Sequence, residues 1–193
     1  MSRETNETGM TLVELIIYAA LLTVVVTIVG GMMLSAITAQ RDITSSTSAA
    51  SLGQLIGQSV TKGVRNATTI DPLQQPTATS QLLRVSSSAG KHTDGTLYGT
   101  VYEGWYYTQN NGGSFYMTIS CTSIVAPTTP TLLAQWNYLG TGITPTAGGA
   151  SLFTVANSTV SYGFSVANGV GKSILISSTA VSRQALTGGS ACS

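Results

Sequence analysis

The sequence predicts an α+β protein, with one long N-terminal helix followed by a domain built on an antiparallel β-sheet, and three observations carry that expectation. No charged residue occurs from Leu15 to Gln40. At about 1.5 Å per helical residue this run exceeds the roughly 30 Å hydrocarbon core of a bilayer. Behind it, apolar residues recur at helical spacing at Leu52, Leu55, Ile56, Val60, Val64 and Ala67, which marks one buried stripe. From Gln81 onward the chain breaks into short β-rich runs divided by Gly, Asn and Pro, the pattern of antiparallel strands.

Taken in chain order, the first segment is polar and mixed in charge, with Arg3, Glu4 and Glu7 before Gly9 and the stretch Met10-Thr11-Leu12-Val13-Glu14. A secretory signal has the opposite order: a basic start, a short apolar core and a small-residue cleavage site after it. The apolar run that follows reads as one transmembrane helix, because a domain of this size could not surround so long an apolar segment. Glu14 sits at its start. A carboxylate at the centre of such a helix costs about 2.5–3.5 kcal/mol on insertion scales, so it is normally paired, protonated or functional. No Lys or Arg occurs between Met10 and Gln40, which leaves an N-terminal amine at Met10 as the available cation. The simpler readings are a Glu reaching lipid headgroups or one complementing the helix dipole.

Gly30 and Gly31 interrupt the run. A glycine pair weakens a helix by about 1 kcal/mol per residue relative to Ala, so it is either a point of local unwinding or a place where two helices approach closely. Farther along, Gly53 and Gly57 share one face, as expected where a helix turn presses against a sheet or a neighbour. Asp71-Pro72 is the expected end of the helix, and the prolines at 72 and 76 mark a connecting loop. Strands are expected at 81–87, 97–108, 114–120, 132–138, 151–156, 159–166 and 173–181. Asn111-Gly112-Gly113 and Asn168-Gly169 are the clearest hairpin turns.

Composition narrows the function. Only 8% of residues are charged and the net charge is +1, while 24 serines and 29 threonines supply polarity without ions. Nucleic-acid binding, which depends on clustered Lys and Arg, is therefore not favoured. Catalysis is not favoured either. His92 lies in a polar turn, the only acids after Gly9 are Glu14, Asp42, Asp71, Asp94 and Glu103, and no metal-ligand, nucleophile-elbow or phosphate-loop motif is present. No enzyme activity, cofactor or metal is expected. The aromatic run of Tyr98, Tyr102, Trp105, Tyr106, Tyr107, Phe115 and Tyr116 reads as sheet and core, with Glu103 on the solvent side. The competing reading is an exposed stacking platform. Cys121 and Cys192 suit an oxidising compartment and a disulfide, with two free thiols or pairing between subunits as the alternatives.

The stretch Gly9-Met10-Thr11-Leu12-Val13-Glu14-Leu15 resembles the prepilin cleavage and N-methylation motif of type IV pilins and pseudopilins. It departs from the commonest form in having Met10 where Phe is most frequent, and in a leader that is not basic. The resemblance implies a leader at 1–9 removed between Gly9 and Met10 by a prepilin peptidase, and N-methylation of Met10. It implies a helix over 10–68, transmembrane at about 15–40, a loop over 69–80, and an extracytoplasmic β-rich head over 81–193. In this lollipop architecture the second half of the helix packs on the sheet. The resemblance also implies that Glu14 neutralises the N-terminus of a neighbouring subunit and that Gly30-Gly31 is a flexible point. The spacing after the spine, with Tyr162-Gly163-Phe164, is similar to W-type and J-type minor pilins. The expected function is a filament subunit, first a minor pilin aiding initiation or capping, then a major pilin or a type II secretion pseudopilin. The expected partners are the peptidase, other pilin subunits, a membrane assembly platform and membrane lipid. The expected place is the cell membrane, in a single pass, and then the extracellular filament. From another class, a membrane-anchored protein whose aromatic head binds a surface fits the same composition.

Overall fold

Helix α1 takes up Leu12–Asn66 in the computed structural model, which describes residues 11–88, 99–146, 151–169 and 171–182. Two compact units divide after Thr44. The described part of the first is helix from Leu12 onward. The second holds the last turns of α1 and all the strands. A long N-terminal apolar helix and antiparallel sheets in the C-terminal part make the arrangement α+β, as the sequence predicts.

Strand pairing ends α1, and it does so before Asp71-Pro72. The Ala67 N–H donates to the Val64 carbonyl at 3.2 Å, closing a tight last turn. The Thr68 N–H and hydroxyl then both donate to the Ser86 carbonyl, at 2.8 and 3.0 Å. This hands the chain to β1 (Thr69–Ile70) inside the stretch expected to be loop. Asp71 pairs instead with Arg84 at 3.0 Å.

One sheet was expected and two are present. The first is an antiparallel meander of β1, β2 (Ser80–Ser88), β3 (Thr100–Thr108), β4 (Ser114–Ser120) and β5 (Asn137–Gly140). The second is built around β8 (Thr159–Ala167). On one side β8 pairs with β6 (Ile143–Pro145) and β7 (Phe153–Ala156), and on the other with β9 (Ser173–Val181) along its whole length. The strand expected at 132–138 is displaced. Pro130–Leu133 is a helical turn with proline in its first turn, and the Thr129 hydroxyl caps it by accepting from the Leu132 N–H at 3.3 Å. Both hairpin turns form where glycine allows positive φ: Asn111, Gly112 and Gly113 lie at 55°, 77° and 83°, and Gly169 and Gly171 at 73° and 78°.

The core of this unit lies between α1 and the two sheets. Ile56, Val60 and Val64 are wholly buried against Leu83, Trp105, Tyr107 and Phe115 of the first sheet and Val160, Phe164 and Val166 of the second. Burying each such helix side chain contributes about 1.5–3 kcal/mol. Leu55, placed on the same stripe by spacing, is exposed. Buried Gln81 joins the sheets: its Oε1 accepts from the Leu152 and Phe153 N–H groups at 2.7 and 2.9 Å. The opposite face of the first sheet is also covered. Leu82, Tyr106, Ile124, Ala126 and Trp136 form a second cluster there, and Arg84 Nη1 donates to the Ile124 carbonyl at 2.6 Å, tying down the overlying loop.

Candidate functional site

Among the described residues, α1 is the helix long and apolar enough to cross a membrane; its most apolar 18-residue window has a mean hydropathy of 2.6 and no buried residue. Its start is capped by a side chain. The Thr11 hydroxyl accepts from the Glu14 N–H at 3.4 Å, and the Leu15 N–H reaches the Thr11 carbonyl at 3.2 Å. Thr11 is thus the N-cap and Glu14 the third helical residue, a Thr-x-x-Glu signature readable in the sequence. The acid lies in the first turn, where the unpaired N–H groups and the helix dipole favour negative charge.

Glu14 has a hydroxyl partner within the helix that charge counting alone passes over. Tyr18 Oη donates to Glu14 Oε1 at 3.2 Å, one turn on. The signal was available: a Tyr four residues after a Glu lies on the same helix face. The remaining hydroxyls of the apolar segment turn back on the helix. Thr23, Thr27, Ser35 and Thr38 donate to the carbonyls of Ala19, Thr23, Gly31 and Leu34 at 2.8, 2.8, 3.1 and 3.2 Å. Such back-bonding satisfies a polar group without water. Around Gly30 and Gly31, a Cβ added at either position would meet nothing within 4 Å. Large apolar side chains from Leu12 to Leu34 are all exposed in the isolated chain. This surface is an extended apolar contact face carrying one carboxylate.

In the second unit the glycines of α1 have close neighbours. A Cβ on Gly53 would fall 2.7 Å from Ile176 Cγ1, and one on Gly57 would lie 3.2 Å from Tyr162 Oη. At Gly63 it would collide with the Trp105 ring and come within 2.6 Å of Glu103 Oε2. An open apolar groove of about 540 Å³ runs here, lined by Gly53, Gly57, Thr61, Lys62, Tyr162 and Ile176 among others. The Tyr162 hydroxyl is already engaged, with the Gly57 carbonyl at 2.9 Å and Thr61 Oγ1 at 2.8 Å.

Glu103 is not on the solvent side. It is half-buried on the face of β3 that carries Trp105 and Tyr107, which pack toward α1. Strand alternation put residues 103, 105 and 107 together, and the aromatic neighbours masked that signal. Burial raises the Glu103 pKa above the ordinary carboxylate value, and nearby Lys62 pulls it partly back. The described aromatics of the run are used for packing: Trp105, Tyr107 and Phe115 on one face, Tyr106 on the other, its ring centroid 6.0 Å from that of Trp136.

Of the other residues singled out in the sequence, Gly9, Met10, His92, Tyr98 and Cys192 lie outside the described residues. Cys121 is disulfide-bonded. Among the described residues, no three of His, Cys, Asp and Glu come together as metal ligands would. Compared with protein-family models, curated proteins and solved structures, the chain matches none.

Proposed function

We propose that the chain is a structural subunit of a type IV pilus or a related filament. It is first inserted in the cell membrane by its N-terminal helix with the head outside, then cleaved after Gly9 by a prepilin peptidase and methylated at Met10. A membrane assembly platform then moves it into a filament with other pilin subunits. Within this class it is read as a minor pilin that helps initiate or cap the filament, on the strength of its similarity to W-type and J-type subunits. A major pilin or a secretion pseudopilin is the next reading.

The observation that carries the proposal is the pairing of the Gly9 to Leu15 motif with a helix surface that is apolar and exposed from Leu12 to Leu34 and holds one acid, Glu14, in its first turn. An apolar face of that extent must be covered by lipid or by other chains. A single carboxylate on it then becomes a fixed point for register, because a buried charge must find a partner.

The test is N-terminal mass spectrometry of the protein from peptidase-competent cells. The expected mature form begins at N-methyl-Met10, and Gly9→Ala leaves the leader attached; an intact leader in the unaltered protein defeats the reading. Glu14→Ala is expected to insert in the membrane normally but to be lost from sheared filaments. A membrane-anchored surface-binding protein would instead keep residues 1–9.

A further inference from the structure

The two sheets differ in how their edges end. The first is bounded by β1 and β5, two and four residues long. One side of the second is closed by β6 and β7, three and four residues long. Short edge strands are a standard protection against unwanted pairing. The other side is β9, nine residues, Ser173–Val181, paired only with β8 among the described residues. Among the described residues it has none of the usual guards. No charge, no proline and no bulge interrupts it, and it is rich in β-branched residues.

Its backbone directions follow from two hydrogen bonds at its ends. The Asn168 N–H reaches the Lys172 carbonyl at 3.1 Å, and the Ser182 N–H reaches the Ser158 carbonyl at 2.8 Å. Even-numbered residues therefore turn their backbone groups toward β8. By the alternation of an antiparallel ladder, Ser173, Leu175, Ser177, Thr179 and Val181 turn theirs outward. The large apolar residues Leu175 and Val181 are 63% and 54% exposed, on one face near the two ends of this strand.

We propose that β9 is a self-association strand, and that a second copy of this chain adds its own β9 antiparallel to it about a two-fold axis at Ser178. In that register Leu175 opposes Val181 of the copy and Ser177 opposes Thr179, so the exposed apolar residues cover each other and hydroxyls meet hydroxyls. Residues with outward backbone groups meet residues with outward backbone groups, as a continuous ladder requires. A register centred on Ser177 would place Leu175 against Thr179 and leave the apolar residues unmatched. A strand that meets itself must carry no charge near the axis, since like charges would face one another, and β9 carries none. Such a contact closes on two chains and does not propagate. In a filament it would join subunits of adjacent filaments, and the inference does not depend on the filament reading.

The test uses the full chain in mild detergent, oxidised and run on non-reducing gels. Ser178→Cys is expected to form a disulfide dimer, because a residue opposed to itself at a non-hydrogen-bonded site has its Cα about 4.5 Å from its counterpart, within disulfide reach. Ser177→Cys is expected to remain largely monomeric, since its counterpart is Thr179. Adding Ser177→Pro to the Ser178→Cys chain removes an outward N–H while leaving the β8 ladder whole, and the dimer should disappear. Leu175→Lys in the same background is the independent second variant and should also abolish it. Equal cross-linking at 177 and 178 would mean association through the apolar helix, and no cross-linking at 178 would mean that residues 183–193 or another protein cover the edge. Either outcome overturns the proposal.

Discussion

Glycine has opposite surroundings in the two stretches of α1. At Gly30 and Gly31 there is nothing within 4 Å for an added methyl to touch, whereas at Gly53, Gly57 and Gly63 the methyl would meet Ile176, Tyr162 and Trp105. The backbone is helical in both stretches. In the second, missing side chains let a sheet come close, and the cost in helix propensity is offset by packing. In the first, no described neighbour compensates the loss. Helix continuity alone therefore says nothing about what a helix is surrounded by, and substitution at these positions separates the two cases.

The largest effect is expected at Gly63. Gly63→Ala forces the Trp105 ring to move, strains the 3.1 Å bond from Trp105 Nε1 to Ser59 Oγ, and should destabilise the second unit by about 3 kcal/mol, the upper end for overpacking a core. Thermal melting followed by tryptophan fluorescence measures it; an unchanged melting temperature would mean that the helix and sheet are not in the contact described. Gly53→Ala should do less, because the neighbour it meets is an Ile side chain able to turn.

A smaller, pH-dependent effect is expected beneath the same turn of helix. Since burial raises the Glu103 pKa in the folded state, the folded chain holds that proton more tightly than the unfolded chain. The associated stability is present at low pH and declines as pH rises through the folded value. Glu103→Gln removes this decline. The variant should melt higher than the parent at about pH 8 and at the same temperature at about pH 3, where both side chains are neutral. A variant less stable at the higher pH would reverse the sign and identify the Lys62 attraction as dominant.

The smallest effect is expected at Gly30 and Gly31. Their replacement by Ala should leave melting of the second unit unchanged and slow amide exchange in the surrounding turns, consistent with a gain of about 1 kcal/mol per residue in helix propensity. A shift in the melting temperature of the second unit would break the contrast with Gly63.

Short β-rich runs bounded by turn residues located β4 at Ser114–Ser120 and β9 at Ser173–Val181, because each is preceded by a turn with a distinct asparagine and glycine signal. The end of α1 was hidden because a contact distant in sequence decides it, Thr68 with Ser86, and the proline that should have decided it lies beyond. β6 was hidden because three residues ending in Pro145 give no period to read. At the candidate site, the Thr11 cap and the Tyr18 partner of Glu14 were both legible as helix spacings. The exposure of Glu103 was not, because its charge argued for solvent while its register placed it beside a tryptophan.

The inward-turned hydroxyls of α1 have a thermodynamic consequence. A threonine already bonded to the carbonyl one turn back has the same partner in hydrocarbon, in a protein interior or in a detergent micelle. Moving this segment between any two such media breaks none of those bonds, so the polar part of its transfer free energy nearly cancels and apolar contact sets the balance. The Glu14 carboxylate is the exception. Beyond the Tyr18 hydroxyl its partners must come from outside the segment, which makes it the group through which the segment distinguishes one apolar environment from another.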